Sequence, residues 1–213
     1  YEICACLVGS EMCIRDREAD ITAAIHKAAA VVIGPGLGQE AGAERLLDLV
    51  LQEAEKLPEL PVVIDADGLN LLAKKRLYST LGRQYVLTPH LREMSRLSGK
   101  SVQEIADDMT SAVMGQQAGA TIVLKDARTL VSDGDWLYIN LSGNSALSTG
   151  GSGDVLSGMI GGLLAQGCTQ RTAATLAVYM HGLTADQYCE SAPPHCMLAR
   201  DILEMIPKIG GNS

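Results

Sequence analysis

Short apolar runs closed by glycine, proline or polar residues set the rhythm of this chain from Ala29 onward. Val31-Val32-Ile33 ends at Gly34-Pro35-Gly36, which predicts a strand entering a tight turn. Ala43, Leu46, Leu47, Val50, Ala54 and Leu57 then recur at helical spacing on one face, and Pro58 and Pro61 bracket the next turn. Val62-Val63-Ile64 gives way to Asp65-Ala66-Asp67 and the helical Leu69-Asn70-Leu71-Leu72, and Tyr85-Val86-Leu87 gives way to Thr88-Pro89-His90. Ser101 and Glu104 form a capping-box pair for a helix running to about Gln117. Thr121-Ile122-Val123-Leu124 ends at Lys125, and strand-like runs follow at 129–131 and 136–138, with Asp133-Gly134 between them as a hairpin signal. Helical patterns occupy about 153–166, 171–188 and 198–206.

Alternation of strands and helices predicts a parallel sheet covered on both faces. The strands are continuous apolar runs, as burial of both faces requires. No linker, repeat or low-complexity stretch interrupts the pattern, so one domain is the simplest account. The 213 residues are 47% hydrophobic but 3% aromatic, with no Phe, so the core is expected to be aliphatic.

Charge narrows the range of partners. Seventeen Lys and Arg against 25 Asp and Glu leave a net charge of −8 with no basic cluster, which argues against nucleic acid. Six cysteines (Cys4, Cys6, Cys13, Cys168, Cys189 and Cys196) show no C-x-x-C or zinc-finger spacing, so they are read as reduced thiols of a cytoplasmic protein. No apolar run reaches the ~20 residues that span a membrane.

Four of the strands end at small or polar residues: Gly34 to Gly38, Asp65 to Asn70, Thr88 to His90, and Lys125-Asp126. In a parallel sheet these loops share one edge, the usual place for a ligand. Thr149-Gly150-Gly151-Ser152-Gly153-Asp154 precedes a helix. Its glycines let backbone amides approach an anion at a helix N-terminus, and Asp154 stands where a carboxylate could take a proton from a hydroxyl. Each feature also has a structural reading. The glycines suit tight turns and Asp154 suits a helix cap; Asp65 and Asp67 could form a carboxylate pair, but Asp67 is equally well placed as a helix cap. His90 suits a satisfied loop histidine, and Lys125 an exposed lysine. His26, His181 and His195 show no obvious partner and are read as structural.

Six ordered blocks resemble the bacterial NAD(P)H-hydrate dehydratases of the ribokinase-like superfamily. They are VVIGPGLGQ (31–39), VVIDADGLNLLA (62–73), LTPHLREMSRLSG (87–99), TIVLKDARTLV (121–131), NLSGNSALSTGGSGDVLSGMIGGLLAQG (140–167) and AVYMHGLTAD (177–186). The resemblance implies an α/β fold of the ribokinase-like three-layer α/β/α kind with a mostly parallel central sheet. It implies a lyase that restores hydrated NADH or NADPH, with ADP as phosphoryl donor, Mg2+ as cofactor, and AMP and phosphate as products. Asp154 would be the catalytic base. Gly36, Gly38, His90, Asn144 and Asp154 would face the hydrated dinucleotide. Lys125, Asp126, Ala127, Arg128, Thr129, Gly151 and Gly153 would hold the adenine nucleotide. The resemblance singles out no metal ligands, and relatives imply a homo-oligomer.

The chain departs from the family pattern at Leu91-Arg92, where Pro-Gly is usual, and at Asp126, where Gly is usual. Members also carry a further portion before the GPGLG block. Residues 1–17 match nothing in the family, and CLVGSEMCIRDR resembles translated adapter DNA. Residues 1–17 are therefore expected to be a non-native segment, and 18–213 a single domain lacking its N-terminal part. Two alternatives stand beside the dehydratase: a small-molecule kinase of the same superfamily, and a nucleotide-binding fragment without turnover. The TPH and KDART blocks fit the dehydratase better than the kinase.

Overall fold

The computed structural model of this chain describes residues 17–114 and 119–209. The expectation for residues 1–17 therefore falls almost wholly outside the described residues. The chain runs α1 (Glu18–Lys27), β1 (Val31–Ile33), α2 (Ala41–Lys56), β2 (Val62–Ile64), α3 (Ala66–Lys75), β3 (Tyr85–Leu87) and α4 (Leu91–Ser98). It continues with α5 (Val102–Asp107), α6 (Met109–Met114), β4 (Thr121–Leu124), β5 (Leu130–Ser132), β6 (Leu137–Ile139), α7 (Ser152–Ala165), α8 (Gln170–Cys189) and α9 (Ala199–Met205).

The six strands form one sheet in sequence order. β1 to β4 are parallel neighbours, while β4–β5 and β5–β6 are antiparallel. This is the α/β arrangement anticipated, with a mixed, mostly parallel sheet. Side chains alternate across it with the strand period of two. Val62, Ile64, Tyr85, Leu87, Ile122 and Leu124 enter the core shared with α2 and α3. Val63, Val86, Val123 and Val131 enter the core shared with α7 and α8. Both faces are thus sealed, which is why the strands read as unbroken apolar runs. A Cβ on Gly161 would stand 2.4 Å from Val32 Cγ2, so α7 lies on β1 at a spacing only glycine permits.

Two boundaries differ from the sequence pattern. The helix expected from Ser101 to about Gln117 breaks at Asp108, whose φ of −143° is not helical. There the Asp108 carboxylate accepts the Ser111 N–H at 2.9 Å and starts a new helix, which follows from the preference of Asp for caps over helix interiors. Residues 115–118, to which that helix was expected to run, lie outside the described residues. The strands expected at 129–131 and 136–138 each sit one residue later, at β5 and β6. Beside them Arg171 pairs with Asp133 and stacks over Trp136 at 5.0 Å, which in turn stacks on Tyr138.

Candidate active site

The loops that follow β1 to β4 are tied together along one edge of the sheet. Asp65 N–H donates to Ile33 O, Thr88 N–H to Ile64 O, and Lys125 N–H to Pro89 O, at 2.8–3.2 Å. His90 and Lys125 also meet in a parallel bridge. The shared edge inferred from the alternation of elements is thus formed by backbone hydrogen bonds.

Asp65 lies beneath the centre of this edge, 1% exposed. Its Oδ1 accepts from Ala66 N–H at 2.8 Å and from the Lys125 ammonium at 2.8 Å. Its Oδ2 accepts from Ser157 Oγ at 2.5 Å. Asp65 is the N-cap of α3, and Ala66 beside it takes φ +46°, a left-handed conformation uncommon outside glycine. Asp67 has different partners: it accepts from Gly38 N–H at 3.1 Å and Gln39 Nε2 at 2.9 Å. The two carboxylates are therefore not a pair. One serves the centre of the edge and the other anchors the GPGLG loop. Gly34 makes that loop possible, since at φ +122° a Cβ on it would meet Asp65 O at 1.8 Å.

Lys125 is not the freely exposed lysine of the structural reading, because it is ion-paired and its side chain is only 21% exposed. Its ammonium stands 3.3 Å from where a Gly153 Cβ would be, so it overhangs the first turn of α7. Gly151 is the N-cap of α7, at φ +86°. The first N–H groups of such a helix have no intrahelical acceptor and carry the positive end of its dipole. Asp154 belongs to this first turn, but it does not cap the helix. Loss of solvent, and then the nearby Asp65 carboxylate, push its carboxyl above the ordinary aspartate value, against the opposing pull of Lys125.

His90 caps α4 with its own ring: Nδ1 accepts from Arg92 N–H at 3.1 Å and Glu93 N–H at 3.2 Å. Acceptance at Nδ1 leaves the ring proton on Nε2. Glu93 completes the capping box through His90 N–H at 2.8 Å, so the cap survives the Leu91-Arg92 departure from the family pattern. Burial raises the Glu93 carboxyl above its ordinary value, against the His90 N–H bond and the Lys125 charge.

A cavity of about 700 Å³ opens beside this centre. His90, Lys125, Asp126, Ala127, Thr129, Asn144 and Gly153 line it. Arg128 belongs to the same loop outside the lining, Gly151 and Asp154 flank it on the first turn of α7, and Gly36 and Gly38 lie on the GPGLG loop. Asn144 is committed to the fold. Its Nδ2 donates to Asp186 Oδ1 at 3.0 Å and its Oδ1 accepts from Ala146 N–H at 3.0 Å, while Asp186 Oδ2 accepts from Gly143 N–H at 2.8 Å.

Sequence reasoning missed several of these residues. His181, read as structural and without a partner, is buried, lines the cavity and contacts Ser152 Oγ and Ser152 O, each at 3.1 Å. Burial lowers its pKa to about 4, so the ring is neutral at pH 7. His26, also expected to lack a partner, pairs with Glu53 at 2.7 Å. Ser157 and Asp186 took no assigned role, and Asp65 only that of a carboxylate pair with Asp67, although Asp65, His181 and Asp186 stand inside the conspicuous blocks VVIDADGLN and AVYMHGLTAD.

Among the described residues no three His, Cys, Asp or Glu side chains converge to hold a metal ion. Both oxygens of Asp65 are occupied by protein donors. These residues do not make a magnesium site of their own.

A parallel sheet whose strand-end loops face a glycine-rich helix start, with an acid beyond it, defines the ribokinase-like class. A ribokinase-like superfamily protein from Enterococcus faecalis superposes with a TM-score of 0.78 at 29% identity, covering 91% of this chain and 66% of that one. The ADP/ATP-dependent NAD(P)H-hydrate dehydratase of Bacillus subtilis, co-crystallised with ATP/Mg2+, gives a TM-score of 0.72 at 28% identity over 91% of this chain and 70% of that one.

A family model described as NAD(P)H-hydrate dehydratase matches residues 4–208, a range that takes in most of the 1–17 segment in which no family block was recognised. The ADP-dependent (S)-NAD(P)H-hydrate dehydratase of Neisseria meningitidis is 44% identical over 167 residues, 76% of this chain and 55% of that protein. The bifunctional NAD(P)H-hydrate repair enzyme Nnr of Coxiella burnetii is 39% identical over 186 residues, 86% of this chain and 36% of that protein. The chain belongs to the NAD(P)H-hydrate dehydratase family. It spans about a third to just over half the length of these two curated relatives.

Proposed function

We propose that this chain carries the dehydratase chemistry of its family, restoring hydrated NADH or NADPH at the expense of ADP. The observation that carries the reading is the meeting of Lys125, Gly153 and Asp154 at the start of α7, beside a cavity lined by Lys125, Asp126, Ala127 and Thr129. In this reading ADP lies along that loop with its terminal phosphate toward the α7 N-terminus, where Lys125 and the first amides offset its charge. The ring hydroxyl of the hydrated dinucleotide attacks the terminal phosphorus, AMP leaves, and Asp154 takes the hydroxyl proton. Asp154's raised proton affinity suits it to that task. The ring phosphate then departs with the C–O electrons, a neighbouring ring proton is lost, and the double bond returns. Gly36, Gly38 and His90 are assigned to the dinucleotide, and Asn144, held by Asp186 and Ala146, to the cavity wall beside them. Asp126, Ala127, Arg128, Thr129 and Gly151 are assigned to the nucleotide. Magnesium is assigned to the nucleotide's own phosphates, as is usual for this ion.

The free thiols of Cys168, Cys189 and Cys196 accord with a reducing compartment, and we assign the protein to the cytoplasm. Among the described residues no helix is long and apolar enough to cross a membrane. A homo-oligomer is retained as the expected assembly, with light scattering as its check.

The test mixes the protein with hydrated NADPH, ADP and magnesium and follows the return of dihydronicotinamide absorbance. Recovery should need both ADP and Asp154, and Asp154→Asn should abolish it while ADP still binds. Recovery that needs neither, or none at all, refutes the reading. A kinase of the same fold would release a stable phosphorylated alcohol without regaining absorbance.

A further inference from the structure

We propose that Asp65, buried beneath the site, is a positioning residue of the phosphoryl-transfer centre: it holds the Lys125 ammonium over the first turn of α7 and sets a negative charge beside Asp154. The inference rests on the dehydratase reading for the identity of the reaction, and on the geometry of this chain for everything else.

Three observations carry it. The Asp65 carboxylate is 1% exposed, yet it is ion-paired with Lys125, a residue that lines the cavity. Lys125, Ser157 on α7 and Ala66 N–H fix both its oxygens. A buried carboxylate needs such partners, but a core of this kind does not need a buried carboxylate. Replacing an ion pair by apolar groups is often neutral or stabilising, so its presence calls for a functional reason. The turn that presents Asp65 is also strained, with Ala66 at φ +46°, a cost associated with functional sites. Finally, the ion pair spans the gap between β2 and β4 at the one place where the Lys125 ammonium, Asp65 Oδ2 and the α7 backbone converge. A Gly153 Cβ would lie 3.3 Å from the first and 3.9 Å from the second.

The consequence is a division of labour. A lysine side chain has four rotatable bonds and, left alone, presents its charge over a broad volume. Anchored by Asp65, the ammonium keeps one position when the terminal phosphate of ADP arrives, and its remaining N–H groups are free to meet the charge that builds up during transfer. Meanwhile the Asp65 charge favours the protonated form of Asp154 and the Lys125 charge disfavours it. Among the described residues these are the two charges that act on Asp154; Lys125 also acts on Glu93 and His181.

Asp65→Asn and Lys125→Gln test this, because they should move Asp154 in opposite directions. Asp65→Asn keeps the shape and removes the charge. Its kcat should fall about tenfold or more, the scale of misplacing a catalytic group, while KM for ADP stays within about threefold because the lysine remains. The Asp154 carboxyl, followed by NMR titration of 13C-aspartate-labelled protein and assigned with Asp154→Asn, should titrate at lower pH than in the wild type. Lys125→Gln should raise KM for ADP and move Asp154 to higher pH. Lys125 is partly exposed, so this second variant keeps the test readable if Asp65→Asn does not fold.

Asp154 titrating alike in wild type and variants overturns the proposal. So does an Asp65→Asn protein that is less stable but turns over normally per folded molecule. A wild type without turnover would refute the dehydratase reading alone, since the carboxyl titration and calorimetry with ADP still decide the role of Asp65.

Discussion

The same methyl group, added at two helical glycines, should change stability in opposite directions. Gly158 in α7 has nothing within 4 Å of where a Cβ would sit. Gly158→Ala should therefore show the bare helix-propensity gain of about 1 kcal/mol. Gly182 in α8 faces the loop after β6. Its Cβ would lie 2.1 Å from Ser142 Oγ, 2.7 Å from Ser142 C and 2.8 Å from Ser142 Cβ. Backbone must move, and overpacking of this kind costs about 1–3 kcal/mol. Ser142 Oγ would also lose the one hydrogen bond its hydroxyl can donate, to Tyr179 O at 2.9 Å or Asn140 Oδ1 at 3.0 Å, worth about 1 kcal/mol. Against the same propensity gain the net loss at Gly182 is about 1–3 kcal/mol. Each kcal/mol moves the melting temperature by roughly 2–4 °C for a chain of this size. Calorimetric or circular-dichroism melts should show Gly158→Ala a few degrees above the wild type and Gly182→Ala several degrees below it. Ser142, Gly143 and Asn144 line the cavity, so Gly182→Ala should also weaken ADP binding. Equal stabilisation of both variants would refute the packing of α8 on this loop.

Three further outcomes can be checked. His181 has its pKa lowered from 6.5 to about 4 by burial. The unfolded chain therefore binds a proton that the folded chain refuses, and the stability from a neutral His181, complete above pH 6.5, is lost as pH falls toward 4. The loss reaches about 3 kcal/mol in all, at no more than about 1.4 kcal/mol per pH unit, and denaturant melts of His181→Gln should lack that part of the slope. Gly153→Ala crowds only the end of the Lys125 side chain at 3.3 Å, so it should weaken ADP binding in calorimetry while leaving the melting temperature within about 2 °C; unchanged ADP affinity would place the phosphate elsewhere. Gly161→Ala forces a Cβ to 2.4 Å from Val32 Cγ2 and should cost about 1–3 kcal/mol in denaturant titration with no effect on ADP affinity per folded molecule.

The chain itself determined the periodicities, and they sufficed for the layers. Short β-branched runs such as Val62 to Ile64, bounded by Pro61 and Asp65, read as buried strands, and alternation with helices leaves few ways to connect them. The glycines and polar residues at the strand ends were equally legible, because a shared edge follows from parallel topology. What the tertiary structure decided were the pairings between distant positions. Asp65 and Lys125 lie 60 residues apart in sequence, and Asp65 and Ser157 lie 92 apart. No local pattern records which of two nearby aspartates turns inward, so Asp65 and Asp67 were indistinguishable until β2, β4 and α7 came together. His181 was missed for the same reason. Its block AVYMHGLTAD is conspicuous, but its partner Ser152 belongs to another helix, 29 residues away in sequence. The break at Asp108 lay between these cases: an Asp inside a helical pattern hints at a cap, but only Ser111, brought round to meet its carboxylate, turned that hint into a helix start. Periodicity is a property of neighbours in sequence, whereas a site is made of neighbours in space.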